Sequence, residues 1–300
     1  MDVTRRRTLL RAAGLVELVA ASGGHSDVRL ALIDGHVDVD HPAFGGATIE
    51  RVGDPGIGRA DVRAGAHATF MASMLTGIDR PALGLCRGCA LVSVPAVTEA
   101  MLSGRLAPPA IAWALATGVR EATGAGAAAI LLGVELTRFA GRDFAVLLDA
   151  VEAAARVGVR TVVAAGNTGC AAQSELLTAV GAVPVGMAAD DGSPDRHGSW
   201  GAALGARGLM APGRGIPGAA LGGRWRIASG SSYSAAFVVA AFALLQSMAP
   251  QRPAGEIWEA LLHNPGSHGV ARSLVPPSLD GDAACARLMR STQRGVGDGR

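Results

Sequence analysis

Asp34, His67, Asn167 and Ser232 are residue types that acyl-transfer chemistry needs, and each adjoins a segment able to hold it still. Asp34 closes the apolar run Ala31-Leu32-Ile33 and is followed at once by Gly35. His67 stands in Gly65-Ala66-His67-Ala68-Thr69, where a helix over residues 69–75 is expected to begin. Asn167 follows Val163-Ala164-Ala165-Gly166. Ser232 lies in Ser229-Gly230-Ser231-Ser232-Tyr233-Ser234, a turn of small residues leading into a long apolar helix over 234–248. A serine hydroxyl becomes a nucleophile only beside a base. The base needs a carboxylate to hold its tautomer, and the oxyanion that forms needs preorganised donors. The carboxylate, imidazole, amide and hydroxyl of these segments supply those parts. Each alone has a plainer reading: Ser232 as a helix N-cap, Asp34 as a turn residue, Asn167 as part of a loop.

The elements that must position them read as alternating strands and helices. Apolar runs over 28–33, 90–94, 127–132, 161–165 and 180–187 are interleaved with helical patterns over 110–123 and 144–157, the signature of βαβ units around a parallel sheet. Residues 192–230 are rich in glycine and turn signals. Asp34 and Asn167 fall at strand ends, on the carboxyl edge where open α/β sheets bind ligands. One domain over 28–266 is expected. An amphipathic helix or extension over 1–27 precedes it, with Leu10, Leu15, Leu18 and Val19 on one face, and a loosely packed tail over 267–300 follows.

A chain of 300 residues can bury a sizeable core. Only 17% of residues are charged, 49% are hydrophobic and 42 are glycine, the balance of a compact fold with covered strands rather than of a disordered chain. A net charge of +2, with no basic run interleaved with aromatics, points away from nucleic acid as a partner. All 27 basic residues are arginine, which excludes a P-loop, Schiff-base catalysis and a Ser–Lys dyad. Cys86 and Cys89 form a C-x-x-C without the second ligand pair that zinc needs, so they read, with Cys170 and Cys285, as ordinary thiols. No metal or cofactor is expected, since Asp54 and Asp190-Asp191 lack the spacing of a calcium loop. His36 and His41 read as packing or capping groups, His197, His263 and His268 as surface residues, and 138–143 as a solvated loop. No apolar run of about 18 residues is apparent, so no membrane span is expected. Thr4-Arg5-Arg6-Arg7-Thr8 is similar to a twin-arginine export signal, but Glu17 interrupts the apolar stretch behind it. A cytoplasmic location is expected, with export as the alternative.

The segments around Asp34, His67 and Ser232 resemble the three signature blocks of the subtilisin family, in the same order of acid, base and nucleophile. Met210-Ala211-Pro212-Gly213 matches a turn that precedes the nucleophile block there. The resemblance implies a three-layer subtilisin-like α/β fold, with a central, mostly parallel sheet and helices on both faces. It implies a serine endopeptidase with Ser232 as nucleophile, His67 as general base and acid, and Asp34 as the orienting carboxylate. Asn167 and the Ser232 backbone N–H would form the oxyanion hole. Leu132, Gly133 and Val134 would pair with the substrate backbone, facing a wall of Ala164, Ala165 and Gly166, so that an extended peptide adds as a strand. A narrower likeness, to the maturation proteases of cyanobactin-type pathways, rests on Asp34-Gly35-His36-Val37-Asp38 with His41-Pro42-Ala43-Phe44, and on Leu85-Cys86-Arg87-Gly88, Gly166-Asn167-Thr168-Gly169-Cys170 and Trp200-Gly201. It implies a peptide substrate, a ribosomal precursor whose leader is removed or which is cut and macrocyclised.

The chain departs from that family pattern at Ala68 (for Gly), Phe70 (for a second His), Ser231 (for Thr), Val134 (for Gly) and Phe237 (for Pro). Ala68 and Val134 are expected to add bulk beside the cleft and to narrow the range of substrates. Only 33 residues precede Asp34, so folding without a large prosegment is expected. Two alternatives remain: a catalytically weak homologue that binds a precursor or leader peptide, and a Rossmann-type dinucleotide enzyme. The second lacks G-x-G-x-x-G after its first strand.

Overall fold

The computed structural model describes residues 3–54, 56–58, 61–78, 81–134, 142–170, 174–263 and 273–297. In chain order its elements are α1 (Val3–Ala12), α2 (Val16–Ala21), β1 (Arg29–Asp34), β2 (Ile49–Arg51), α3 (Val62–Thr76), β3 (Ala90–Pro95), α4 (Glu99–Leu102), α5 (Pro108–Gly124), β4 (Ala129–Leu132) and α6 (Ala145–Arg156). They continue with β5 (Arg160–Ala164), β6 (Ala182–Ala188), α7 (Ala202–Arg207), β7 (Leu209–Pro212), β8 (Ile216–Ala220), β9 (Arg224–Ala228), α8 (Ser231–Met248), α9 (Ala254–Leu262) and α10 (Gly281–Gly297).

The strands join in the order β2-β3-β1-β4-β5-β6-β7, every neighbouring pair parallel. Successive side chains of a strand point to opposite faces, so each strand feeds two cores. Leu30 and Leu32 of β1 and Leu131 of β4 join the cluster under α3, α8 and α9. Ala31, Ile33, Ile130 and Leu132 join the one under α5 and α6. Apolar residues on both faces are what a covered parallel sheet requires, and the result is three layers, the subtilisin-like α/β arrangement.

Helix α8 runs through the first core, buried at every residue from Ser231 to Leu245. Its Phe242 stacks on Trp258 of α9 with ring centroids 4.5 Å apart. Contrary to the expectation of no long apolar run, α8 has the length and composition to cross a membrane. It is 78% buried, as the central helix of a core would be.

Other elements differ from the sequence reading. Helix α3 begins at Val62, so His67 lies inside it; Gly65 looks like a turn residue, yet the helix continues through it where it packs beside the His36 carbonyl. The glycine-rich stretch 192–230 contains α7, the edge strand β7 and the antiparallel hairpin β8–β9, whose glycines and prolines hid the strand pattern. The N-terminal segment is two helices, broken at Gly14 (φ 55), where a β-carbon would meet Asp280 Oδ1 at 2.5 Å. Leu9, Leu10, Leu15 and Leu18 all enter the α8 core, so this segment is no appendage. The tail is not loose over its described part: Ala284 and Leu288 of α10 are buried in that same core. Asp282 of α10 also accepts the Glu17 and Leu18 N–H groups at 3.3 and 2.8 Å, capping α2. Residues 138–141 of the expected loop, and His268, lie outside the described residues.

Candidate active site

A parallel sheet gathers the carboxyl ends of its strands at one edge. Asp34 is the last residue of β1, Gly133 the first after β4 and Ala165 the first after β5. The Asp34 carboxylate is 2% exposed, and its Oδ1 accepts the Gly35 N–H at 2.7 Å. Gly133 passes so close that a β-carbon there would lie 1.9 Å from Asp34 Oδ2. Gly35 admits α3 in the same way, since a β-carbon there would lie 2.3 Å from the Ala64 carbonyl carbon. One turn along α3, His67 therefore reaches two partners. Its Nδ1 is 2.7 Å from Asp34 Oδ2 and its Nε2 is 3.0 Å from Ser232 Oγ. A carboxylate only accepts, so Nδ1 carries the proton and donates it to Asp34, leaving Nε2 to accept from the Ser232 hydroxyl.

Ser232 is the second residue of α8. Gly230 has no side chain to cap this helix, and a distant residue does so instead. Asn167 Oδ1 accepts the Ser231 N–H at 2.6 Å, while Ser231 Oγ accepts the Gly166 N–H at 3.2 Å. Ser231 is thus buried and tied to the end of β5, which leaves its neighbour Ser232 facing His67. Asn167 lines the same cleft, of about 350 Å³, as His67 and Ser232. With Oδ1 engaged, the amide's other polar group is its NH₂ donor. The Ser232 N–H belongs to the first turn of α8, where amides have no intrahelical acceptor and the dipole favours negative charge.

Gly133, Val134 and Ala164 line the cleft, whereas Leu132 and Ala165 are buried behind it. Gly166 is buried too and is fixed by its bond to Ser231. Ala68, expected to crowd the cleft, instead faces the α8 core with no exposure, because its direction is set by the true course of α3. Phe70 is equally buried, its ring 4.6 Å from that of Tyr233 and against Gly218 of β8. The sequence reading missed Tyr233, Arg63 and Arg226, all of which line the cleft. The Tyr233 ring lies 5.7 Å from the His67 ring, and burial pushes its hydroxyl pKa up, which keeps it neutral. No signal marked the arginines, since they come from an early turn of α3 and from β9, neither of which was read as regular structure.

Away from the cleft, His41 accepts the Ala43 N–H with Nδ1 (3.0 Å), and its Nε2 lies 2.9 Å from the Arg224 carbonyl, a capping and packing role. Cys86 and Cys89 are buried free thiols, and a hydrogen bond between their side chains raises the pKa of Cys86 and lowers that of Cys89. Asp190 is engaged by Arg5 at 2.7 Å.

A serine hydroxyl, an imidazole and a buried carboxylate aligned at the carboxyl edge of this parallel sheet define a subtilisin-type serine endopeptidase. The sequence model of the subtilase family (Peptidase_S8) matches residues 25–280, and the chain belongs to that family. Among solved structures, the prenylagaramide maturation protease PagA is similar with a TM-score of 0.76 at 26% identity, over 90% of this chain and 98% of that one. The patellamide maturation protease PatA gives 0.72 at 27%, over 89% and 98%. The PatG macrocyclase, solved in complex with peptide, shares the fold at 21% identity, with a TM-score of 0.73 over 92% and 96%. No curated protein sequence matches the chain.

Proposed function

We propose that this peptidase matures a ribosomal precursor peptide by acyl transfer through Ser232, either removing a leader or cutting and macrocyclising. The observation that carries the reading is the unbroken relay from Asp34 through His67 to Ser232, with bonds of 2.7 and 3.0 Å. Ser232 Oγ attacks the scissile carbonyl carbon as His67 Nε2 takes its proton, and Asp34 stabilises the imidazolium. The Ser232 N–H and the Asn167 NH₂ hold the oxyanion. His67 returns the proton to the leaving nitrogen as the C–N bond breaks, leaving an ester on Ser232. Water, or for ring closure the amino terminus of the acylated peptide itself, then displaces Ser232 from that ester by the same steps in reverse. An extended substrate would lie against Gly133 and Val134 on one side and Ala164 on the other.

Support for the substrate comes from the likeness to PagA and PatA, both maturation proteases. A cytoplasmic site of action belongs to the same proposal. It is supported by the arginine run being built into the fold, with Arg5 paired to Asp190 and Leu9 and Leu10 buried. The test has two parts. A fluorophosphonate probe should label the folded protein at Ser232 and leave Ser232→Ala unlabelled. A short precursor peptide encoded beside the gene should be cut at a single site by the wild type. Label persisting in Ser232→Ala, or well-folded wild type that takes none, would overturn the proposal.

A further inference from the structure

The cleft is more cationic than acyl transfer requires. Arg63 reaches it from α3 and Arg226 from β9, while among the described residues the one carboxylate lining it is Asp34, which is 2% exposed and bonded to His67. The two arginines differ in their surroundings. Arg63 lies 3.6 Å from Glu99 of α4, which offsets its charge. Among the described residues no ion pair involves Arg226. Its guanidinium carbon stands 5.1 Å from the centroid of the Phe70 ring, and that ring is fully buried against Tyr233, the residue next to Ser232. A cation held over an aromatic face is positioned through its plane, which leaves the N–H donors at its edge able to fork onto a carboxylate. Phe70, which stands where the family resemblance implies a histidine, is the platform for this group.

We propose that Arg226 reads an acidic side chain of the substrate, a Glu or Asp near the scissile bond. The inference rests on the peptidase reading above and adds a substrate feature to it. Arg226 is exposed apart from the side that faces Phe70, so its fork onto a carboxylate is worth about as much as a well-formed surface pair. A Glu over Gln preference of about fivefold is expected at low salt, shrinking as salt is added.

The test reads binding and turnover separately, with an Ala/Leu octapeptide set in which one position at a time carries Glu, Gln or Arg. Ser232→Ala protein reports Kd by fluorescence anisotropy, and wild type reports kcat/KM. At one position Glu should surpass Gln about fivefold in both readouts. Arg226→Glu should reverse the choice towards Arg, while Arg63→Gln should leave the Glu/Gln ratio within about twofold. A ratio near one at every position overturns the inference, as does a ratio that survives Arg226→Glu. Uniform weakening of all peptides by Arg226→Glu, with a lowered Tm, would mark a structural clamp and overturn it as well. Selective binding of Glu peptides by Ser232→Ala, with no turnover by wild type, would sink the peptidase reading and leave the inference standing.

Discussion

Asn167 does two things with one amide, and substitution can separate them. Its oxygen caps the Ser231 N–H, and its NH₂ is the side-chain donor proposed for the oxyanion. Asn167→Ala loses both. Its kcat should fall about 10²–10³-fold, a magnitude established for a subtilisin oxyanion donor and borrowed here. KM should change little, because the charge exists only in the transition state. The lost cap should lower stability by about 1 kcal/mol. Asn167→Asp keeps an acceptor for Ser231 but sets a negative oxygen beside the developing charge, so kcat should fall at least as far while Tm holds. Steady-state kinetics with thermal unfolding checks both variants; equal Tm losses in the two would break the division of labour.

At the scale of elements, the chain leaving β4 controls both alignment and selectivity. Gly133→Ala places a carbon where Asp34 Oδ2 now lies, at 1.9 Å, so the carboxylate must move and His67 loses its orientation. A displacement of that order costs about 10²-fold in rate, which kcat should show while circular dichroism stays native. A near-normal kcat would mean that the strand end yields instead. The neighbouring Val134 narrows the cleft and stiffens its wall through β-branching. Bulky residues on the unprimed side should be disfavoured about ten- to two-hundredfold, and Val134→Gly should relax that bias. The peptide profile of the two proteins, with casein as a general substrate, measures this. Vigorous casein digestion by wild type, or an unchanged profile in Val134→Gly, would count against it.

Across the whole molecule, the two terminal segments close on each other over the α8 core. Asp282 of α10 caps α2, and Leu18 of α2 is 2% exposed in the core. Asp282→Ala should cost about 1 kcal/mol, a Tm shift of about 2–4 °C for a domain of this size. Leu18→Ala should cost about 2–5 kcal/mol through the cavity it leaves. Neither residue lines the cleft, so kcat/KM at 25 °C should stay at the wild-type value. Unchanged Tm in both variants would return the C-terminal tail to the loose packing read from its composition, and the N-terminal segment to a mere extension.

How much was legible followed from range. The strands β1, β3, β4, β5 and β6 were read to within a few residues, because a doubly covered parallel strand must be a continuous apolar run wherever its neighbours lie. Asp34, Asn167 and Ser232 were legible as chemical types at strand and helix ends, and His67 as one beside a helix, in an order that one family shares. Nothing local could say that α3 runs through Gly65, since that turn is held by packing against His36. The direction of Ala68 was lost with it. Nothing local could say that Asn167 caps α8, because residues 167 and 231 meet only when β5 and α8 pack. The hairpin β8–β9 was hidden by its own glycines and prolines, and with it Arg226, whose place above Phe70 joins two elements far apart in sequence. Periodicity and residue type decide which segments form and what chemistry they can carry. Which face each residue turns to the cleft is decided by contacts between distant segments, and these exist only in the folded chain.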